Sequence, residues 1–500
     1  ISRFYSSSNH KMADIPVYEK HYINGQWVGT LSEKKEFIDV FDSSLGTTYA
    51  KVVAGCEEDT NAAIEAAHDA FDSWSSMSLA TRVDYIQKIL QEYMKRKDSV
   101  AEALQRELGA PQALAHEQQA MLFPMHLSTV LKIAKDFEWT EDIGRSILVK
   151  EPIGVVGCIT PWNWPTNQIG AKIGPALLAG CTVVLKPSEV TPVNAIIIAE
   201  AIHAAGLPPG VFNLVNGRGR ETGQPLATHS KVSMVSFTGS TAVGRRLHAL
   251  GASSIKRVRT ELGGKSAAIV LDDASEKSIR MVARNVLGNT GQSCNALSRL
   301  LVPENRYEEV VNLVKETFES VRIVNATDPS AKMGDMGPLA SKQQLDKVRG
   351  YIKKGVEEGA RLVCGGAESP DDPELSPFGY FILPTVFADV TNEMTIAREE
   401  IFGPVLCILK YKTEKEAISI ANDTIYGLNN AVVSQDEKRA MNVALQLRSG
   451  QVQVNTLNGT PLTPFGGYKQ SGDGREWGKY GLEEFLQVKA INIPKGHAKL

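Results

Sequence analysis

The sequence predicts an α/β protein with parallel sheets in two successive domains. Three observations predict it. Strand signals alternate with helix signals over most of the 500 residues, the pattern of helices packed on a parallel sheet. One complete strand–helix–strand unit is legible in CTVVLKPSEVTPVNAIIIAEAIHAAGLPPGVFNLVNG. A second alternating region begins after ELGGKSAAIVLDD. With 43% hydrophobic and 22% charged residues, the chain can bury a core in two or three domains.

Taken in order, Val83, Ile86, Ile89, Leu90, Tyr93 and Met94 recur three or four apart within residues 80 to 97, an amphipathic helix whose stripe serves packing. In the strand–helix–strand unit the first strand is Val183 to Leu185. Thr191 and Pro192 supply the N-cap and first helical position, Gly206 and Pro208 end the helix, and Val211 to Val215 form the next strand. VSMVSF is a third strand, running into TGSTAVGRRLHAL, where Ser240 or Thr241 opens a helix. SRLLVP begins the second region, followed by a helix with Tyr307, Val310, Val311, Val314, Phe318 and Val321 on one face. PLTPFGGYKQSGDGREWGKYG is too long for a turn and reads as a functional loop crossing between domains. The last strand, in FLQVKAINI, has no obvious local partner, and an intersubunit sheet would supply one.

Charge and composition exclude several classes. With 54 basic and 57 acidic residues, neither clustered, no nucleic-acid or membrane partner is expected, and a small neutral or zwitterionic ligand fits better. No apolar run approaches the ~18 residues a membrane helix needs, so a soluble chain is expected. Six cysteines without CxxC spacing argue against zinc and disulfides and for a reducing compartment. The start, ISRFYSSSNHK, is Ser-rich and has no acid before Asp14. It resembles the end of a transit peptide, which implies the mitochondrial matrix; a tag scar or disordered tip on a cytoplasmic protein is the alternative.

The chemistry concentrates in a few motifs. NTGQSCNALS surrounds Cys294 with small and polar residues, unlike Cys158 in GVVGCITPW and Cys407 in PVLCILKY, which read as core thiols. NGRGRETG has the spacing GxGxxxG, one residue too long for the usual dinucleotide finger. FTGS places Gly239 and Ser240 between a strand and a helix N-terminus, where backbone N–H groups can meet a pyrophosphate. KPSE puts Lys186 and Glu189 at a strand's carboxyl end, suited to ribose hydroxyls and unfavourable to a 2′-phosphate. PWNWP holds Asn163 rigidly between tryptophans and prolines. ELGGK sets Glu261 at the end of what reads as an apolar strand, and EEIFGPV and PFGGYKQSGDGRE supply Glu400, Phe402, Phe465 and Glu476.

Together these motifs resemble the aldehyde dehydrogenase superfamily, in its order and at about its spacings, from residue 22 to residue 490. The resemblance implies two Rossmann-type α/β domains and a small β oligomerisation element. Residues 22–129 and 150–262 would bind NAD, 263–460 form the catalytic domain, 461–481 the interdomain loop, and 130–149 with 482–500 the oligomerisation element of a homodimer or homotetramer. Residues 1–21 would be an N-terminal extension.

It also implies roles. Cys294 is the nucleophile that attacks the aldehyde carbon. The Asn163 amide and the Cys294 backbone N–H form the oxyanion hole, where one donor is typically worth ~10²- to 10³-fold in rate. Glu261 is the base for the water that cleaves the thioester, with Lys172 and Glu476 as a proton relay. NAD, favoured over NADP, is held by Ile159, Thr160, Trp162, Lys186, Glu189, Gly219, Phe237, Gly239, Ser240, Leu262, Glu400 and Phe402. No metal is expected. The substrate is a small-molecule aldehyde, in a pocket formed by Trp164, Ser293, Asn295, Leu457 and Phe465, with Trp477 nearby.

Two other readings compete. A CoA-acylating semialdehyde dehydrogenase would generally lack the glutamate of ELGGK, and a structural protein reusing the fold would tolerate loss of Cys294, Glu261 or Asn163; all three are present. The pocket suits an apolar or medium-chain aldehyde, and its aromatics could also face a quaternary ammonium. No arginine is placed there by the motifs, which disfavours a dedicated succinate semialdehyde enzyme.

Overall fold

The computed structural model describes residues 15–494; the transit-peptide reading therefore lies mostly outside the described residues. The first large sheet has seven strands in the order Arg257–Glu261, Met234–Thr238, Val155–Ile159, Thr182–Lys186, Phe212–Leu214, Lys20–Ile23 and Gln26–Gly29. Its first five strands are parallel. In chain order these five read 5-4-1-2-3, the dinucleotide-binding arrangement, so the order reverses beside Val155–Ile159. There the loops after Ile159 and Thr238 diverge and open a crevice. The helix Pro165–Ala179, which follows the first of those loops, is buried along its whole length. It carries Lys172 into the interior, 0% exposed.

The second large sheet orders its strands Arg361–Cys364, Thr385–Ala388, Val405–Tyr411, Arg299–Pro303, Ala267–Val270, Asn429–Val433 and Gln451–Val454. All its pairs are parallel except that of the edge strand Arg361–Cys364. The chain crosses from one sheet to the other through Gly263 and Gly264, between Glu261 at the end of one strand and Ala267 at the start of another. The Cys294 turn enters Arg299–Pro303 at the same amino-terminal edge. The catalytic side of the second domain is thus the amino end of its sheet, facing the carboxyl ends of the first.

Several elements depart from the sequence expectation. The strand ending at Glu261 is Arg-Val-Arg-Thr-Glu at the sheet edge, not an apolar strand. Residues 15 to 21 are not an appendage: Val17–Tyr18 pairs with Thr47–Val53, and Lys20–Ile23 joins the large sheet. Within the expected interdomain loop, Phe465 and Glu476 form an antiparallel bridge and Gly478–Glu483 is helical. The final strand, Leu486–Asn492, has its partner within the chain, pairing antiparallel with Ser146–Pro152, which also pairs with Thr140–Asp142. Residues 130 to 133 belong instead to the helix Ala120–Ile133.

The helix after Thr191 begins one residue later than expected, with Pro192 at the N-cap, so no side chain there can accept a bond. Glu107, fully buried, replaces it from 86 residues away, accepting from the Val193 and Asn194 N–H groups at 2.9 and 3.1 Å. Burial pushes its carboxyl up to about 7. Glu107→Ala would strand two buried donors, and we expect it to cost about 2–4 kcal/mol, read as a lower thermal midpoint; an unchanged midpoint would contradict this cap.

Candidate active site

At the domain crossing a cavity of about 190 Å³ is lined by Trp162, Asn163, Glu261, Cys294, Glu400 and Phe402 among others. Gly263 and Gly264 let the two domains approach closely enough to form it. A β-carbon on Gly263 would collide with the Glu400 carboxylate, and one on Gly264 with the Cys294 carbonyl. Glu400 is held by the Gly264 N–H at 3.0 Å. Phe402 sits at φ +61°, left-handed and unfavourable for a bulky residue. Its carbonyl accepts from Gln344 Nε2 at 2.6 Å, and its ring meets Trp162 edge-on at 5.4 Å.

The turn presenting Cys294 is built from amides. Asn289, Thr290 and Gly291 run consecutively left-handed at φ +53°, +57° and +74°. Asn289 Nδ2 donates to the Asn163 carbonyl at 2.8 Å, and Gln119 Nε2 to the same oxygen at 3.2 Å. Asn163 Nδ2 donates one hydrogen to the Gln292 carbonyl at 2.9 Å, leaving its second N–H for an acceptor in the cavity. Gly291 makes room for the Gly403 backbone rather than for a ligand. Cys294 itself is half-buried, and burial, then the charges of Glu400 and Glu261, push its thiol up. It therefore rests protonated and must give up a proton to act.

Glu261 is the most unusual group. It is 3% exposed, and neither carboxylate oxygen has a hydrogen-bond partner among the described residues. Burial, reinforced by Glu476, pushes its carboxyl well up. An unpartnered buried carboxyl is costly. Behind it Lys172 donates to Thr238 Oγ1 at 2.8 Å and ion-pairs with Glu476. Lys172, Glu261 and Glu476 share a further cavity of about 10 Å³, about the size of one water.

The structure thus brings Cys294, Asn163 and Glu261 into one cavity with Trp162, Gly239, Ser240, Leu262, Glu400 and Phe402. Ile159, Thr160, Lys186, Glu189, Gly219 and Phe237 lie off its wall, on or beside the strand ends that open the crevice. Thr160 N–H bonds the Lys186 carbonyl, and Lys186 pairs with Glu189 at 3.1 Å. Gly219 starts a five-residue π-helical turn whose Gly223 packs near Ile159 and Lys186. Buried Thr160 Oγ1 has no partner among the described residues. Carboxylates and hydroxyls along a switch-point crevice fit a dinucleotide with free ribose hydroxyls. Gln344 and Lys347, one turn apart on Lys342–Glu357, also line the cavity; no sequence motif reveals them.

On the other side of the thiol turn is a cavity of about 350 Å³, lined by Trp164, Ser293 and Asn295. Trp164 Nε1 donates to Ser293 Oγ at 2.8 Å. Leu457 and Phe465, expected here, are not on its wall: Leu457 packs on the second domain's core and Phe465 stacks on Trp477 at 4.7 Å. Leu114, Leu287, Val321 and Met333 supply the apolar surface instead. The wall also includes Arg284, which no sequence motif places there.

A reversing parallel sheet that opens onto a thiol, an amide donor and an unpartnered carboxyl defines a dinucleotide-dependent dehydrogenase working through a covalent intermediate. The chain belongs to the aldehyde dehydrogenase family, whose model matches residues 27–491. It is 47% identical over 476 residues to 3-succinoylsemialdehyde-pyridine dehydrogenase of a Pseudomonas species, covering 95% of this chain and 98% of that one. Among solved structures, aldehyde dehydrogenase C of Pseudomonas syringae, complexed with NAD+ and octanal, superposes with a TM-score of 0.92 at 42% identity, covering 95% and 96% of the two chains. Betaine aldehyde dehydrogenase of Staphylococcus aureus, complexed with NAD+, gives 0.91 at 33%, covering 96% and 97%. The protein is an NAD-dependent oxidoreductase that oxidises aldehydes. These relatives are bacterial and lend nothing to a mitochondrial reading of the N-terminal residues.

Proposed function

We propose that Cys294, Asn163 and Glu261 carry this reaction hydrolytically, releasing a free acid. The observation that carries it is Glu261, buried with both oxygens unpartnered in the cavity that Cys294 lines. The Cys294 sulfur gives up its proton to solvent water and bonds to the aldehyde carbon, and the oxyanion accepts from Asn163 Nδ2 and the Cys294 backbone N–H. NAD, when bound, supplies the hydride acceptor that turns this thiohemiacetal into a thioester. Glu261 then takes a proton from water as the water oxygen attacks the thioester carbon, and the carbon–sulfur bond breaks. Lys172 and Glu476, sharing the small cavity behind Glu261, are placed to pass that proton outward. Trp162, Ser240, Leu262, Glu400 and Phe402 would hold the nicotinamide half of NAD, and Lys186 and Glu189 the adenosine ribose.

The apolar wall supports an aldehyde with a medium-length chain. Arg284 on that wall opposes a quaternary ammonium substrate by charge. The exposed Val488 and Ile491 on Leu486–Asn492 support assembly into a dimer or tetramer through the three-stranded sheet. The six free cysteines support a reducing compartment.

The deciding experiment supplies aldehyde and NAD with and without CoA. The expected result is NADH formation with the free acid as product in both cases. An acyl-CoA product would overturn the hydrolytic reading, and no NADH from any aldehyde would favour structural reuse of the fold.

A further inference from the structure

The 350 Å³ cavity is amphipathic. Its apolar residues share the wall with Ser293 and Asn295, which flank the thiol, and with the polar side chains of Gln118, Arg284 and Asp335, of which Gln118 and Arg284 are exposed. Asp335 is already committed: Arg322 Nη2 donates to it at 2.6 Å and the Lys332 N–H at 2.7 Å. Gln118 comes from a π-helical turn, Leu114–Gln119, a distortion common at functional sites. Its side chain has no hydrogen-bond partner among the described residues.

Arg284 ends the helix Glu276–Arg284, which packs against Tyr307–Glu319. One turn earlier, Arg280 Nη2 pairs with Glu316 at 2.7 Å. Four residues on in both helices, the same ladder places Ser320 opposite Arg284, and Nη2 donates to the Ser320 hydroxyl at 3.3 Å. The ladder that neutralises Arg280 thus ends in a neutral group, and Arg284 makes no ion pair among the described residues. An exposed guanidinium on a cavity wall, with donors that no protein group takes, suits a planar anion.

We infer that Arg284, assisted by Gln118, recognises a carboxylate at the far end of the aldehyde substrate, making the preferred substrate class an aldehyde acid with an apolar middle. This rests on the proposed reading of the active site and adds a specificity determinant to it. The aldehyde end lies beside Cys294, the methylenes contact Trp164 and the apolar wall, and the carboxylate meets the guanidinium. A charge-assisted pair at an exposed guanidinium gives a roughly two- to fivefold preference.

The test compares kcat/KM for an unbranched aldehyde with that for its ω-carboxylate counterpart of equal length. The wild-type enzyme is expected to favour the carboxylate by about two- to fivefold, through KM. In Arg284→Gln the preference disappears with kcat retained. Ser320→Glu, which restores the missing rung and leaves the guanidinium in place, is expected to have the same effect, and Arg284→Lys to keep part of the preference. A wild-type enzyme that treats both aldehydes equally, or variants that slow both equally, would overturn the inference while leaving aldehyde oxidation standing. Failure to oxidise either aldehyde would overturn both.

Discussion

Cys294→Ala is expected to lower kcat on the order of 10⁴-fold or more, as nucleophile deletions do elsewhere, with NAD binding intact. The reason is that Cys294 contributes little to the fold. It is half-buried, unlike Cys158 and Cys407, each 0% exposed. The turn that presents it is held by Asn289, Gln292 and Gln119, whose amides donate to backbone carbonyls, with Gln119 also reaching Asn289 Oδ1, and do not involve the thiol. NADH formation measures the loss, and quenching of Trp162 fluorescence by added NAD measures the retained cofactor site. Appreciable turnover by the variant would refute a covalent mechanism at this residue. Loss of NAD binding together with turnover would mean that the thiol shapes the cavity as well.

What was legible beforehand divides along a physical line. That Cys294, Asn163, Glu261, Glu400 and Phe402 would meet could be anticipated because each sits in a short rigid motif that resembles those of aldehyde dehydrogenases, and the five do line one cavity. Positions whose role depends on distant partners could not. Glu107 caps a helix from 86 residues away, so the local signal pointed to Thr191. Gln344 and Lys347 lie on an ordinary amphipathic helix and acquire a role only when the other domain meets it. Arg284 is a further case, because what sets it apart is the absence of a carboxylate at position 320 on another helix. The strand Leu486–Asn492 lacked a partner in its neighbourhood because that partner lies over 300 residues earlier in the chain.

Glu261→Gln separates the two halves of the reaction. It preserves shape but removes the base, and general-base loss typically costs 10²- to 10⁴-fold. We therefore expect NADH to appear in a burst of about one equivalent and then to stall, with the acyl group visible on Cys294 by intact-protein mass. Hydroxylamine, a neutral nucleophile that attacks thioesters without a base, should restart turnover; sustained wild-type turnover without it would refute the role. In the wild type the same base must be ionised, and its carboxyl is pushed well above the ordinary range by burial and Glu476. Thioester hydrolysis is thus expected to rise with pH above the usual carboxylate range. Stability moves the other way. Above the unfolded carboxyl value near 4.5, the folded state retains a proton that the unfolded chain releases, so stability falls as pH rises until Glu261 ionises in the fold. The glutamine variant lacks that penalty and should melt at higher temperature than the wild type at neutral pH while turning over far more slowly. A base held ready for water, with no partner of its own, is a destabilising element of the fold for the same reason that it is reactive.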